Sequence, residues 1–77
     1  MKVTISGYGL LKNYVGLPDN PYQYESSSPK SIREIVQEMG IPDGMVMLIS
    51  VNDQQKNFDY IPQDGEDIKI IPPISGG

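Results

Sequence analysis

The chain contains no cysteine and no histidine. These two absences exclude disulfides, thiolate nucleophiles, zinc sites built on sulfur or imidazole, and histidine acid–base catalysis. Alanine is also missing, so any helix must form from residues of weaker intrinsic propensity. No apolar run approaches the ~18 residues a membrane span requires. Cationic charge is scarce: six basic residues face ten acidic ones, a net charge of -4. A binder of nucleic acid or of an anionic membrane needs a basic face, so neither class is expected. The opening MKVTISGYG alternates apolar with polar and carries one lysine, unlike a signal peptide. A reduced, cytoplasmic setting is the expectation. At 77 residues the chain makes one domain with a thin core, burying only about 60% of its unfolded surface.

What is present reads as a regular order of elements. Lys2–Tyr8 alternates as a half-buried strand, with Val3 and Ile5 on one face. Leu10, Leu11, Tyr14 and Val15 share one side of a short helix that Gly16 is placed to end. Tyr22–Glu25 reads as a returning strand. The principal helix carries Ile32, Ile35, Val36 and Met39 in one apolar stripe. Its start has two readings one turn apart: a capping box of Ser31 with Glu34, or Ser28 as cap before Pro29. The first is preferred. Gly40, Ile41 and Pro42 form a stop signal. Three of the four stripe residues are β-branched, so this helix must rely on docking against a sheet.

Met45–Val51 is apolar on both faces, as a central strand would be. Asn52-Asp53 is a turn, Gln54–Asn57 a short polar strand, and Phe58–Pro62 an irregular segment with aromatic anchors. After the Asp64-Gly65 turn, Asp67–Ile71 alternates again. The order predicts an α+β fold, a mixed sheet of four to five strands with one principal helix across one face. Residues 1–71 are expected to form the domain and residues 72–77 a flexible extended tail.

This order, with Ser31-Ile32-Arg33-Glu34-Ile35, Met39-Gly40-Ile41-Pro42, Asp64-Gly65-Glu66-Asp67-Ile68 and the ending Ile71-Pro72-Pro73-Ile74-Ser75-Gly76-Gly77, resembles the ubiquitin-like β-grasp proteins of the MoaD/ThiS sulfur-carrier family. The short helix at Leu10–Val15 and the Pro-Pro before the tail look closer to MoaD, the small subunit of molybdopterin synthase, than to ThiS. Gly7-Tyr8-Gly9 and Lys12-Asn13 stand where MoaD proteins usually carry phenylalanines and an arginine.

The resemblance implies a non-catalytic carrier. A ubiquitin-activating-type enzyme (MoeB/ThiF-like) would adenylate the Gly77 carboxylate with ATP, and a sulfur donor would convert it to a thiocarboxylate. A large molybdopterin synthase subunit (MoaE-like) would then receive the sulfur. No cofactor or metal of the carrier's own is expected. The alternatives are a carrier for the thiamin thiazole or another thiolation pathway, a protein modifier joined through Gly77, and a β-grasp binding module with an idle tail.

The tail suits the scheme physically. Gly76 and Gly77 present no side chain to a narrow channel. Pro72 and Pro73 lack N–H donors and end strand pairing. Ile74 is a candidate apolar anchor, and Ser75 a candidate hydrogen-bonding residue in the same channel. For partner docking, alternation along the central strand assigns Met47, Ile49 and Val51 to the core. It leaves Val46 and Leu48 on the open face with Ile71, Lys69 and Tyr8, unless the Leu10–Val15 helix covers them. Asp64, Glu66 and Asp67 read first as a solvated turn and second as an acidic rim for a partner. Their spacing is not that of a calcium loop. Gly7-Tyr8-Gly9 lacks the third glycine of a dinucleotide fingerprint.

Overall fold

A computed structural model describes residues 1–42 and 44–73. The elements follow the expected order. They are β1 (Lys2–Gly7), a 3-10 helix (Gly9–Asn13), β2 (Tyr22–Glu25), α1 (Ile32–Glu38), β3 (Leu48–Val51), β4 (Gln54–Lys56) and β5 (Asp67–Ile71). The strands form one five-stranded sheet in the order β2-β1-β5-β3-β4. β1 and β5 run parallel at its centre; every other pair is antiparallel. With α1 across one face, this is the β-grasp arrangement.

The core lies between α1 and the inward residues of the central strands. Val3 and Ile5 of β1, Ile68 and Ile70 of β5, and Ile49 and Val51 of β3 meet Ile32, Ile35 and Val36 of α1. A helix without alanine gains little from propensity, so this burial holds it. Its ends are closed by specific hydrogen bonds. Ser31 and Glu34 form the capping box, which settles the two possible starts in favour of Ser31. The first two free donors of the helix, the N–H groups of Ile32 and Arg33, donate to the carbonyls of Tyr60 and Phe58. That is how the irregular 58–62 segment anchors to the globule. At the other end Gly40 takes φ +75. Its N–H donates to the Gln37 carbonyl and that of Ile41 to the Val36 carbonyl, the two bonds of a Schellman stop. Asn52 (φ 49) and Asp53 (φ 68) turn β3 into β4 with both central residues left-handed, as a two-residue hairpin requires.

Two expectations need correction. The segment after Gly9 is a 3-10 helix rather than two α-helical turns. With three residues per turn, Leu11 and Tyr14 share a side and Leu10 points away. Leu11 is fully buried and Leu10 is exposed. The second correction concerns the central strand, which begins only at Leu48. Leu48 is the register partner of Ile71, yet the Met47 N–H also donates to the Ile71 carbonyl, at 2.8 Å. Two residues thus oppose one, which is a β-bulge, and alternation fails across it. Val46 is buried (8% exposed) and joins the core, while Met47 is 62% exposed. The assignments of Val46 to the open face and Met47 to the core are therefore reversed.

β2 is tied to α1 by a titrating pair. The Tyr24 hydroxyl, on a residue only 6% exposed, donates to Glu38 Oε2 at 2.8 Å. The Lys30 ammonium donates to the same oxygen at 2.7 Å. Burial, then the bond to Glu38, pushes the Tyr24 pKa from 10.0 up to about 12. The folded state therefore holds this proton more tightly than the unfolded chain. The resulting stability is complete below pH 10 and is lost as pH rises from 10 towards 12. The full shift corresponds to about 3 kcal/mol, of which about 2 kcal/mol is lost by pH 11.5. Urea titrations at pH 9 and pH 11.5 should show that loss in the native chain. Tyr24→Phe should remove the tyrosine's share; an equal loss in that variant would contradict the assignment.

Candidate functional site

The open face of the sheet is ordered in rows, because neighbouring strands place residues of one level side by side. Nearest the Asp64-Gly65 turn, Thr4 lies beside Asp67 and donates its hydroxyl to the carboxylate at 2.7 Å. The next row is Ser6, Lys69 and Ser50. Lys69 Nζ is 3.8 Å from Asp53. Ser6 is fully buried, and its hydroxyl has no partner among the described residues.

The last row is apolar. The inward pair Gly7 and Ile70 sets the register just before it, and Leu48 pairs with Ile71 on the open face. Tyr8, whose backbone stays extended (φ -112, ψ 157), thus stands one step on, beside Ile71. Tyr8 (42% exposed) and Leu48 (39%) flank the half-buried Ile71, and Met47 extends the row through the bulge. Of the five residues expected on the open face, Leu48, Ile71 and Tyr8 are brought together here, Lys69 lies in the row beside them, and Val46 is turned to the core. Met47 takes part where sequence reasoning placed it in the core. Only pairing to a distant strand shifts its alternation, so no local signal marks it.

The 3-10 helix does not cover this row. Leu11 joins the core, and Val15 lines a small apolar cavity with Ile5, Ile32 and Ile35 on the α1 side of the sheet. The row also lies where the chain leaves the sheet. β5 ends at Ile71, and a Cβ placed on Gly9 would sit 3.5 Å from Pro72 Cγ, so the entry to the 3-10 helix backs the first residue of the exit. Ile74, Ser75, Gly76 and Gly77, the residues expected to enter a partner's channel and carry the chemistry, lie outside the described residues.

The acidic group at the opposite end is engaged locally. Asp64 accepts from the Lys2 N–H at 2.6 Å. Glu66 accepts from the Tyr60 hydroxyl and from the Gln63 N–H, and the bond to Glu66 raises the Tyr60 pKa. These carboxylates shape the loop before β5. Among the described residues no three acidic side chains gather as a metal site would require, and no helix is long and apolar enough to cross a membrane.

Comparison with known proteins bears out the fold. A putative molybdopterin converting factor subunit 1 from Pyrococcus furiosus superposes with a TM-score of 0.70 at 17% identity, over 96% of this chain and 99% of that one. A complex of subunits 1 and 2 of the molybdopterin-converting factor from Helicobacter pylori contains a chain matching at TM-score 0.60 and 20% identity, over 100% of both chains. SAMP1 from Haloferax volcanii matches at TM-score 0.67 and 13% identity, again over 100% of both. No curated protein sequence matches. At these identities the structures establish a shared ubiquitin-like fold. A family description, Mut7-C ubiquitin, matches residues 2–75. The ubiquitin-like resemblance read from the sequence therefore holds, and the chain belongs to the Mut7-C ubiquitin family.

Proposed function

We propose that this protein is a ubiquitin-like sulfur carrier that works as a non-catalytic subunit, with the Gly77 carboxylate as its reactive group. The observation that carries the reading is the position of the apolar row. Tyr8, Ile71, Leu48 and Met47 lie on a sheet face that no other described element covers, at the end where β5 gives way to Pro72. A partner gripping that row is placed to receive whatever follows Pro73. A patch of this kind on a small acidic domain is a docking surface, and its occupant in this reading is the enzyme that activates the tail.

In the proposed reaction a partner adenylating enzyme binds ATP. A Gly77 carboxylate oxygen attacks the α-phosphorus and pyrophosphate leaves. Sulfide from the donor then attacks the acyl carbon, a C–S bond forms, the C–O bond to AMP breaks, and a thiocarboxylate remains. The carrier contributes presentation. Prolines 72 and 73 end the ladder, and Gly76-Gly77 admits close approach in a channel where attacking and leaving groups must align. Gly77 must be the last residue of the working protein. The favoured acceptor is the molybdopterin precursor, delivered to a large synthase subunit. The Helicobacter pylori match is itself a subunit 1–subunit 2 complex of a molybdopterin-converting factor.

Leu48→Asp tests the docking face. It should weaken binding to the adenylating enzyme by roughly tenfold or more, the effect of removing one buried leucine from an interface. The fold should survive, because Leu48 is already 39% exposed. Unchanged affinity, measured by calorimetry, would remove the row from the interface.

A further inference from the structure

The bulge gives one methionine a different chemical environment from the other three. Met1, Met39 and Met45 pack against the core as partly buried residues. Met47 does not; it is 62% exposed, held outward because its N–H and its neighbour Leu48 both face Ile71 of β5. It lines an open groove with Leu48, Gln55, Phe58 and Tyr60, at the end of the row assigned to docking. With no cysteine in the chain, thiol oxidation cannot pre-empt oxidation of its methionines. Susceptibility of a thioether follows access to solvent, and its oxidation turns a flexible apolar side chain into a polar one.

We propose that Met47 is an oxidant-sensitive modification site that governs docking: peroxide converts its thioether to the sulfoxide, and the altered side chain lowers the partner affinity of the Tyr8–Ile71–Leu48 row. The sulfur attacks one peroxide oxygen, an S–O bond forms and the O–O bond breaks. Sulfur is oxidised by two electrons and hydrogen peroxide is reduced to water. The fold tolerates the product because the side chain already faces solvent. The change is reversible by a methionine sulfoxide reductase. This inference rests on the docking reading of the same face.

The test treats the full chain, in its carboxylate form, with hydrogen peroxide. Peptide mapping should find Met47 oxidised before Met1, Met39 and Met45. Affinity for the adenylating enzyme should fall about tenfold, comparable to the loss of one buried methionine side chain, and should return on reduction. Met47→Leu should bind with equal affinity before and after peroxide. Oxidation of Met39 or Met45 as fast as Met47, or unchanged affinity of chain fully oxidised at Met47, would overturn the proposal. Leu48→Asp separates the two levels. If it also leaves affinity unchanged, the docking reading fails; if it weakens binding while the sulfoxide does not, only the oxidation proposal fails.

Discussion

Gly16→Ala is expected to destabilise the protein by about 3 kcal/mol, the upper part of the usual range for forcing atoms into filled space. The sequence places Gly16 after an apolar helical run, where glycine commonly ends a helix. The structure gives it another task. Its N–H donates to the Ile5 carbonyl and its carbonyl accepts from the Gly7 N–H, extending β1 by an isolated parallel bridge. On its other side the chain returns through a narrow loop closed by paired bonds between Leu17 and Asn20. A Cβ on Gly16 would overlap the backbone atoms Tyr22 N, Asn20 O and Pro21 C. Main-chain atoms cannot rotate aside as a side-chain tip does, so either the bridge or the start of β2 must move. The expected fall in Tm is roughly 10–20 °C for a domain of this size. A change of only a degree or two would mean that the 16–22 segment is not packed as described.

The second large effect is Leu11→Ala, with an expected loss of about 3 kcal/mol from lost burial and an unfilled cavity. Leu11 is the only buried residue of the 3-10 helix. A Cβ added to Gly7 would lie 2.8 Å from Leu11 Cβ, so β1 is bare at Gly7 to admit this side chain. Truncation should open the short helix as well as lower global stability. Amide exchange at Leu11 and Tyr14, whose N–H groups donate to Tyr8 and Leu11 carbonyls, should accelerate more than exchange in β3. Against a typical net stability of about 5–15 kcal/mol, either variant removes a large share. A loss below about 0.5 kcal/mol in urea unfolding, the range of ordinary surface changes, would show that the 3-10 helix is not part of the core.

Where structure depends on near neighbours, the sequence is legible. Tyr22–Glu25 and Asp67–Ile71 are the observed bounds of β2 and β5. The Ser31–Glu34 box and the Gly40 stop are closed by bonds spanning three to five residues. What escaped depends on distant partners. Whether Val46 or Met47 faces the core is decided by how β3 meets Ile71, more than twenty positions along the chain. The role of Gly16 is likewise set by a returning loop. For the same reason the placement of Tyr8, Ile71 and Leu48 on the open face was legible, each obeying simple alternation, whereas Val46 was misplaced. The proposed chemistry belongs to Gly77 and the tail before it, Ile74–Gly76, whose role is implied by the family resemblance and which lie beyond the described residues.

The central claim is that Gly77 is loaded with sulfur. Its most direct test is the intact mass of the chain after incubation with its adenylating enzyme, ATP and a sulfur donor. The account predicts a product in which one oxygen is replaced by sulfur, with fragmentation placing the change at Gly77 and no such product from a chain lacking that residue. An unaltered mass, in a mixture where the same enzyme thiocarboxylates another carrier, would contradict it.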